Sequence, residues 1–188
     1  MATYPHWQYF LTLDSDLQRL SRYIEIDAAN YGVYSVELVR ILLAASSEID
    51  VVAKLLCSKL GTSLTKARGN WTIDNSREVI LVAHSQLPTL AVTVPAHGIS
   101  LLPWQDWQQG KNPAWWQSHN AVKHDRNTSY KDANLINTLN AVAGLFVLVA
   151  YLYEGELNDV GSIVRLNFFS LGVDYFPEVI WSGGGKLP

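Results

Sequence analysis

Residues 141–153, from Ala141 through Phe146 to Tyr153, form the longest apolar run of the chain, with no charged side chain between Asn140 and Glu154. The run is well short of the roughly 20 residues a helix needs to cross a bilayer. It is apolar on every side, which is the pattern of a helix enclosed by other elements. A chain carrying such a segment must supply amphipathic partners to wrap it, and two precede it. Leu13, Leu17, Leu20 and Ile24 recur at spacings of three and four, predicting a first helix over 11–26 with Asp14 and Asp16 in its N-terminal half. A second is bounded by Ser35, a capping residue, and Gly61, a terminator, and carries the stripe Leu38, Leu42, Ala45, Ile49, Val52, Leu56 and Leu60. Arg40, Ser47, Asp50, Lys54 and Ser58 take its wet face. Glu48 falls at the stripe's edge, where a carboxylate is costly unless paired.

Pro113 suits the first turn of a third helix over 114–126. A fourth is expected over 128–154, with Asn134, Asn137, Thr138, Ala141 and Leu145 on one face. Between the second and third helices, over 62–113, the period changes and turn residues multiply. A short helix over 76–86 is followed by a strand at 90–94, a turn at Pro95-Ala96-His97-Gly98 and a second strand at 99–102. Trp104 and Trp107 then supply large apolar surface to cover the junction. Beyond Gly155, residues 163–169 read as a strand or extended arm and 182–188 as a flexible, glycine-rich tail. The expected fold class is mainly all-α: an antiparallel up-and-down helical bundle with a small β-hairpin insertion, in one domain over 1–188.

Composition narrows the function. With 48% hydrophobic and 16% charged residues the 188-residue chain is globular rather than disordered. A net charge of −3 excludes a generally basic surface for coating nucleic acid, so any such contact has to come from a local cluster. Cys57 is the single cysteine, which excludes an intrachain disulfide and a four-thiolate zinc site and fits a reducing, cytoplasmic setting. Residues 1–10 carry no secretory pattern. The five histidines form no His-Glu-x-x-His motif and no i, i+4 pair, and no glycine loop precedes a helix, so neither metal nor other cofactor is expected.

The densest chemistry lies in Trp115-Trp116-Gln117-Ser118-His119-Asn120-Ala121-Val122-Lys123-His124-Asp125-Arg126. On one helix His119, Lys123 and Arg126 share a side at i, i+4 and i+7, with Asn120 and His124 beside them. Imidazoles titrating near neutrality next to permanent cations are the groups needed to move a proton and hold a phosphate. The same cations equally suit a helix C-terminus, where each adds about 0.3–1 kcal/mol with no catalytic purpose. His119 and Asn120 equally suit buried hydrogen bonds, and the tryptophan pair equally suits a core.

Four helices with a basic histidine motif at the opening of the last pair resemble the HEPN superfamily (higher eukaryotes and prokaryotes nucleotide-binding). Its hallmark is an arginine, usually followed by a polar residue, then a histidine a few positions on. In this chain Asn120 and His124 take the polar and histidine places and His119 stands in the arginine's place. Pro103-Trp104-Gln105-Asp106-Trp107 and Asp132-Ala133-Asn134-Leu135 extend the resemblance to uncharacterised bacterial members. It implies a homodimer paired through helices that cleaves RNA without metal, in a defence, toxin or stress setting with an antitoxin-like protein partner and no membrane. His124 would then be the general acid/base, Lys123 and Arg126 would hold the phosphate, and His119 would support proton transfer or a hydrogen bond. Asn120 and Asn134 would orient the imidazole or contact a base, Glu48 would brace a cation, and Trp116 would stack. The alternative is a non-catalytic module using the same bundle to dimerise or to bind RNA, a nucleotide or a protein.

Overall fold

The computed structural model describes residues 4–63, 71–154, 156 and 166–171. The chain is mainly helical with a small β insertion. Helix α1 (Pro5–Leu20) begins earlier than its leucine spacing alone predicts, because Pro5 occupies the first turn and Trp7 and Phe10 extend the buried face toward the N-terminus. It correspondingly ends at Leu20, so Ile24 and Ile26 lie beyond it. Helix α2 (Val36–Lys59) has the expected limits. Ser35 Oγ accepts from the Leu38 N–H at 3.2 Å. At the other end Gly61, at φ 83°, lets the Thr62 N–H reach the Cys57 carbonyl at 3.0 Å, closing the last turn. Helix α3 (Ile73–Ala83) starts three residues before the expected 76, where Asn75 Oδ1 accepts from the Thr72 N–H at 3.1 Å.

Strands β1 (Val92–Val94) and β2 (Ile99–Leu101) make the expected hairpin, pairing Val92 with Leu101 and turning through Pro95–His97 and Gly98 at φ 63°. The extended arm contributes β3 (Ser170–Leu171) on the other edge of β1, pairing Val92 with Leu171, so the sheet order is β2-β1-β3. Residues 163–165 of that arm and the glycine-rich stretch 182–188 lie outside the described residues.

The region expected to give two helices over 114–154 gives three. Helix α4 (Ala114–His124) stops at Asp125, whose carboxylate accepts from the Thr128 hydroxyl at 2.7 Å and starts the four-residue α5 (Arg126–Ser129). Helix α6 (Leu135–Leu152) begins only after a second cap, Asn134, accepts from the Asn137 N–H at 3.1 Å. The expected helix over 128–154 is therefore broken, and Asn134 caps α6 instead of lying on its face. Both breaks have one cause: short polar side chains intercept the backbone N–H groups that a continuous helix would use internally.

The long helices alternate in direction along the chain. Asp16 of α1 meets Arg40 of α2 at 2.7 Å, and His6 near the start of α1 meets Glu48 further along α2, so these two run antiparallel. Thr138 of α6 donates to the Leu38 carbonyl and Lys59 of α2 donates to the Leu152 carbonyl at 2.6 Å, so α2 and α6 run side by side in one direction. Antiparallel to α6, α4 joins Ser118 to Asn137 at 2.9 Å and lays Trp115 over Gly144. Helix α6 is long and apolar enough in composition to cross a membrane, and 78% of it is buried inside the protein. It is the central helix that the uninterrupted apolar run demanded.

Two packing devices position what lies on α4. Trp104 and Trp115 stand edge to face at 5.0 Å, Trp104 Nε1 donates to the Gly144 carbonyl at 3.1 Å, and Trp115 Nε1 donates to the Pro103 carbonyl at 2.8 Å. A Cβ on Gly144 would lie 3.2 Å from Trp115 and 3.3 Å from Trp104, so the indoles seat here because residue 144 has no side chain. On the far side, the fully buried Asp14 carboxylate accepts from the backbone N–H groups of Asn167 (2.7 Å), Phe168 (3.2 Å) and Phe169 (3.0 Å), tying the segment that carries β3 to α1. Asp14→Asn would turn one acceptor oxygen into a donor facing these N–H groups. The expected loss is about 2 kcal/mol of stability, with faster hydrogen exchange at the amides of Asn167, Phe168 and Phe169; unchanged protection there would show that the carboxylate does not hold the segment.

Candidate functional site

A cleft of about 610 Å³ opens between three elements. Ser46, Ser47 and Asp50 line it from α2, residues 71–74 from the entry to α3, and Trp116, His119, Asn120, Lys123 and His124 from α4. Its size is that of a small-molecule or nucleotide site. The four α4 residues chosen for chemistry or support within 119–124 are thus brought together, with Trp116 one turn before them. Asn112 closes one end: its amide donates to Asp74 Oδ1 at 3.2 Å and its Oδ1 accepts from Arg77 at 3.2 Å, pinning α3 to the start of α4.

Three expected site residues lie elsewhere. Arg126 is not one turn beyond Lys123 on a continuous helix, because the break at Asp125 sends it into α5, away from the cleft lining. Asn134 is spent as the cap of α6. Glu48 turns toward α1 and pairs with His6, so it braces no cation in the cleft. Pairing removes the cost of placing that carboxylate at the edge of an apolar stripe.

The cleft is electrostatically graded. Both carboxylates in its wall are engaged, Asp50 with Lys54 and Asp74 with Arg77 at 2.9 Å. Lys123 and His124 are exposed, and neither side chain makes a hydrogen bond or ion pair with another described residue. The rim therefore carries uncompensated positive charge. The floor is different. His119 is 4% exposed, its ring lies 5.2 Å from that of Trp116, and neither Nδ1 nor Nε2 has a hydrogen-bond partner among the described residues. Burial pushes its pKa down to about 4, with Lys123 and His124 adding to the depression and Asp50 opposing it. At neutral pH His119 is thus an uncharged imidazole offering one donor and one acceptor. A proton carrier working near pH 7 needs a pKa near 7, so His119 does not suit the supporting proton transfer expected of it.

Sequence reasoning missed the α2 and α3 sides. Ser46 is fully buried with an unpartnered Oγ, and its signal was a serine one turn after Leu42 on the apolar side of α2. Ser47 and Asp50 read only as wet-face residues. Trp71, whose Nε1 donates to Ser76 Oγ at 2.8 Å, and Thr72 carried no signal, since their approach to α4 is a tertiary contact. Among the described residues no three His, Cys, Asp or Glu side chains converge as a metal site. Set against known proteins, the chain matches no family model, no curated protein and no solved structure, so the reading of this cleft rests on its own residues.

Proposed function

We propose that this is a HEPN-like cytoplasmic protein whose α2–α3–α4 cleft binds RNA or a nucleotide, Lys123 and His124 taking the phosphate at the rim. The observation that carries this reading is that those two exposed, unpaired cationic or protonatable side chains share one cleft lining with buried hydroxyl, imidazole and aromatic groups. That gradient from charged rim to neutral floor matches a ligand with a phosphate at one end and a base at the other. Trp116 and Trp71 add aromatic surface, and base–aromatic stacking contributes about 1–3 kcal/mol per base where it occurs. Binding is favoured over cleavage because only one of the two imidazoles in the cleft, His124, is accessible and free of strong burial. Metal-independent cleavage needs both a base and an acid. A nuclease reading therefore requires a second His124 from a paired copy, and its support is the exposure of His124 beside Lys123.

One experiment separates the two. Single-stranded RNA is titrated with the protein in excess chelator across a range of salt. Retention of intact RNA is expected, with Lys123→Ala weakening it and lowering the salt slope by about one. Absence of binding at low salt would reject the proposal. Cleavage that disappears in His124→Ala would replace it with the nuclease.

A further inference from the structure

We propose that the floor of the cleft recognises the hydrogen-bonding edge of a lactam-type nucleobase, as in uracil or guanine, through His119 and Ser46, with Trp116 alongside the base. This deepens the nucleotide-binding reading, on which it rests, by assigning the class of group that occupies the floor.

Buried polar side chains in folded proteins nearly always find partners, because leaving one unpaired forfeits its hydration. Among the described residues five buried side-chain polar atoms lack one, and three of these belong to His119 and Ser46. The other two are indole N–H groups of Trp7 and Trp107, which do not line the cleft. Ser46 also forgoes the remedy open to a helical serine: Ser58, further along α2, donates back to the Lys54 carbonyl at 3.1 Å, whereas Ser46 Oγ has no hydrogen-bond partner among the described residues. Two polar residues on α2 and α4, both in the lining of one cleft, thus carry unsatisfied groups.

The chemistry of those groups selects the ligand. An anion is a poor occupant of the floor, since an uncharged imidazole meets it with an acceptor nitrogen as readily as with a donor, and charging the imidazole opposes its burial. The groups facing His119 reinforce this. Asp50 from α2 and Asp74 from α3 are already paired with Lys54 and Arg77, while Lys123 and His124 on α4 disfavour a further positive charge. A neutral group with adjacent N–H and C=O answers the imidazole and the hydroxyl together. The lactam edge is such a group, and its flat ring fits beside the indole of Trp116.

The test uses the intact protein at pH 7 and four probes: uridine, guanosine, and the same nucleosides methylated at the lactam nitrogen, N3 of uridine and N1 of guanosine. Binding is followed by calorimetry, and the histidine ring nitrogens by NMR. At least one unmodified nucleoside is expected to bind about tenfold or more tightly than its methylated form, and to shift the His119 nitrogens. His119→Leu should abolish the discrimination while raising the thermal midpoint of the ligand-free protein, because it removes an unpaired polar group from a buried site. A histidine serving only the fold would give the opposite stability change. His119→Gln, retaining a donor and an acceptor, should keep part of the preference. Should His119→Leu fail to fold, Ser46→Ala and the methylated probes carry the test. Equal affinity for modified and unmodified nucleosides, no binding of either nucleoside, or full discrimination in a folded His119→Leu protein would overturn the assignment. Nucleoside discrimination without any salt-dependent RNA or nucleotide binding would uphold the floor and refute the phosphate-binding rim.

Discussion

Acidification from pH 7 to 4 is expected to remove on the order of 3 kcal/mol of folding stability through His119 alone. The unfolded imidazole titrates near 6.5 and the folded one near 4. Between those values the unfolded chain binds a proton that the native state refuses. The contribution is therefore fully present above about pH 6.5 and is lost as pH falls through that value toward 4. The cause is burial against Trp116 with no partner for either nitrogen, assisted by the positive field of Lys123 and His124 and moderated by Asp50. Half-buried His84, packed on Tyr151 and also shifted downward by burial, acts in the same direction. Asp14 acts in the opposite one: burial raises its carboxyl pKa despite three backbone N–H contacts, so its contribution grows as pH falls. The difference between wild type and His119→Leu isolates His119. Urea midpoints measured from pH 7.5 to 4 should fall steeply for wild type and much less for the variant. Parallel slopes would show that the His119 ring is hydrated and titrates normally.

Trp104→Ala should destabilise by about 3–5 kcal/mol, the usual cost of deleting a buried aromatic side chain. Trp104 is 1% exposed, packs against Trp107 at 4.2 Å and Trp115 at 5.0 Å, and donates to the backbone of the central helix at Gly144. Three costs coincide there: lost transfer free energy, a cavity beside Gly144 of α6, and a broken hydrogen bond. Trp104→Phe keeps most of the ring and should cost substantially less. The consequence for function is indirect. Trp104 supports Trp115, Trp115 begins α4, and the next turns of α4 present the cleft residues, so ligand binding should weaken even where the variant remains folded. A chemical denaturation series on the three proteins checks the ranking. Equal stability of Trp104→Ala and wild type would mean that the tryptophan layer is not what seats α4.

Much of the fold was legible because periodicity reports burial directly. The stripe from Leu38 to Leu60 and its limits at Ser35 and Gly61 define α2, since capping and termination are local chemistry. The hairpin was legible for the same reason: apolar alternation, then proline and glycine where the turn needs them. The start of α1 was displaced because leucine spacing hides what Pro5, Trp7 and Phe10 add. The third helix was read past its end and the fourth as continuous from 128 because Asp125 in the one and Asn134 in the other continue a helical pattern while their side chains interrupt its backbone hydrogen bonds.

The candidate site divides along the same line. A cluster at His119, Asn120, Lys123 and His124 is visible from residue type and helical spacing, and those side chains do share a cleft. The departure of Arg126 and Asn134 follows from the two caps, and that of Glu48 from its pairing with His6. By itself the sequence determined a helical protein wrapped around one wholly apolar helix and a concentration of imidazole and cationic groups on one short segment, because these depend on neighbours within a turn or two. Only the tertiary structure decided that His119 is buried and uncharged while Lys123 and His124 stay in water, and that Ser46 and residues 71–74 complete the walls. Burial and electrostatic potential are set by what packs across from a residue, and here the facing residues lie 45 to 73 positions before His119 in the chain.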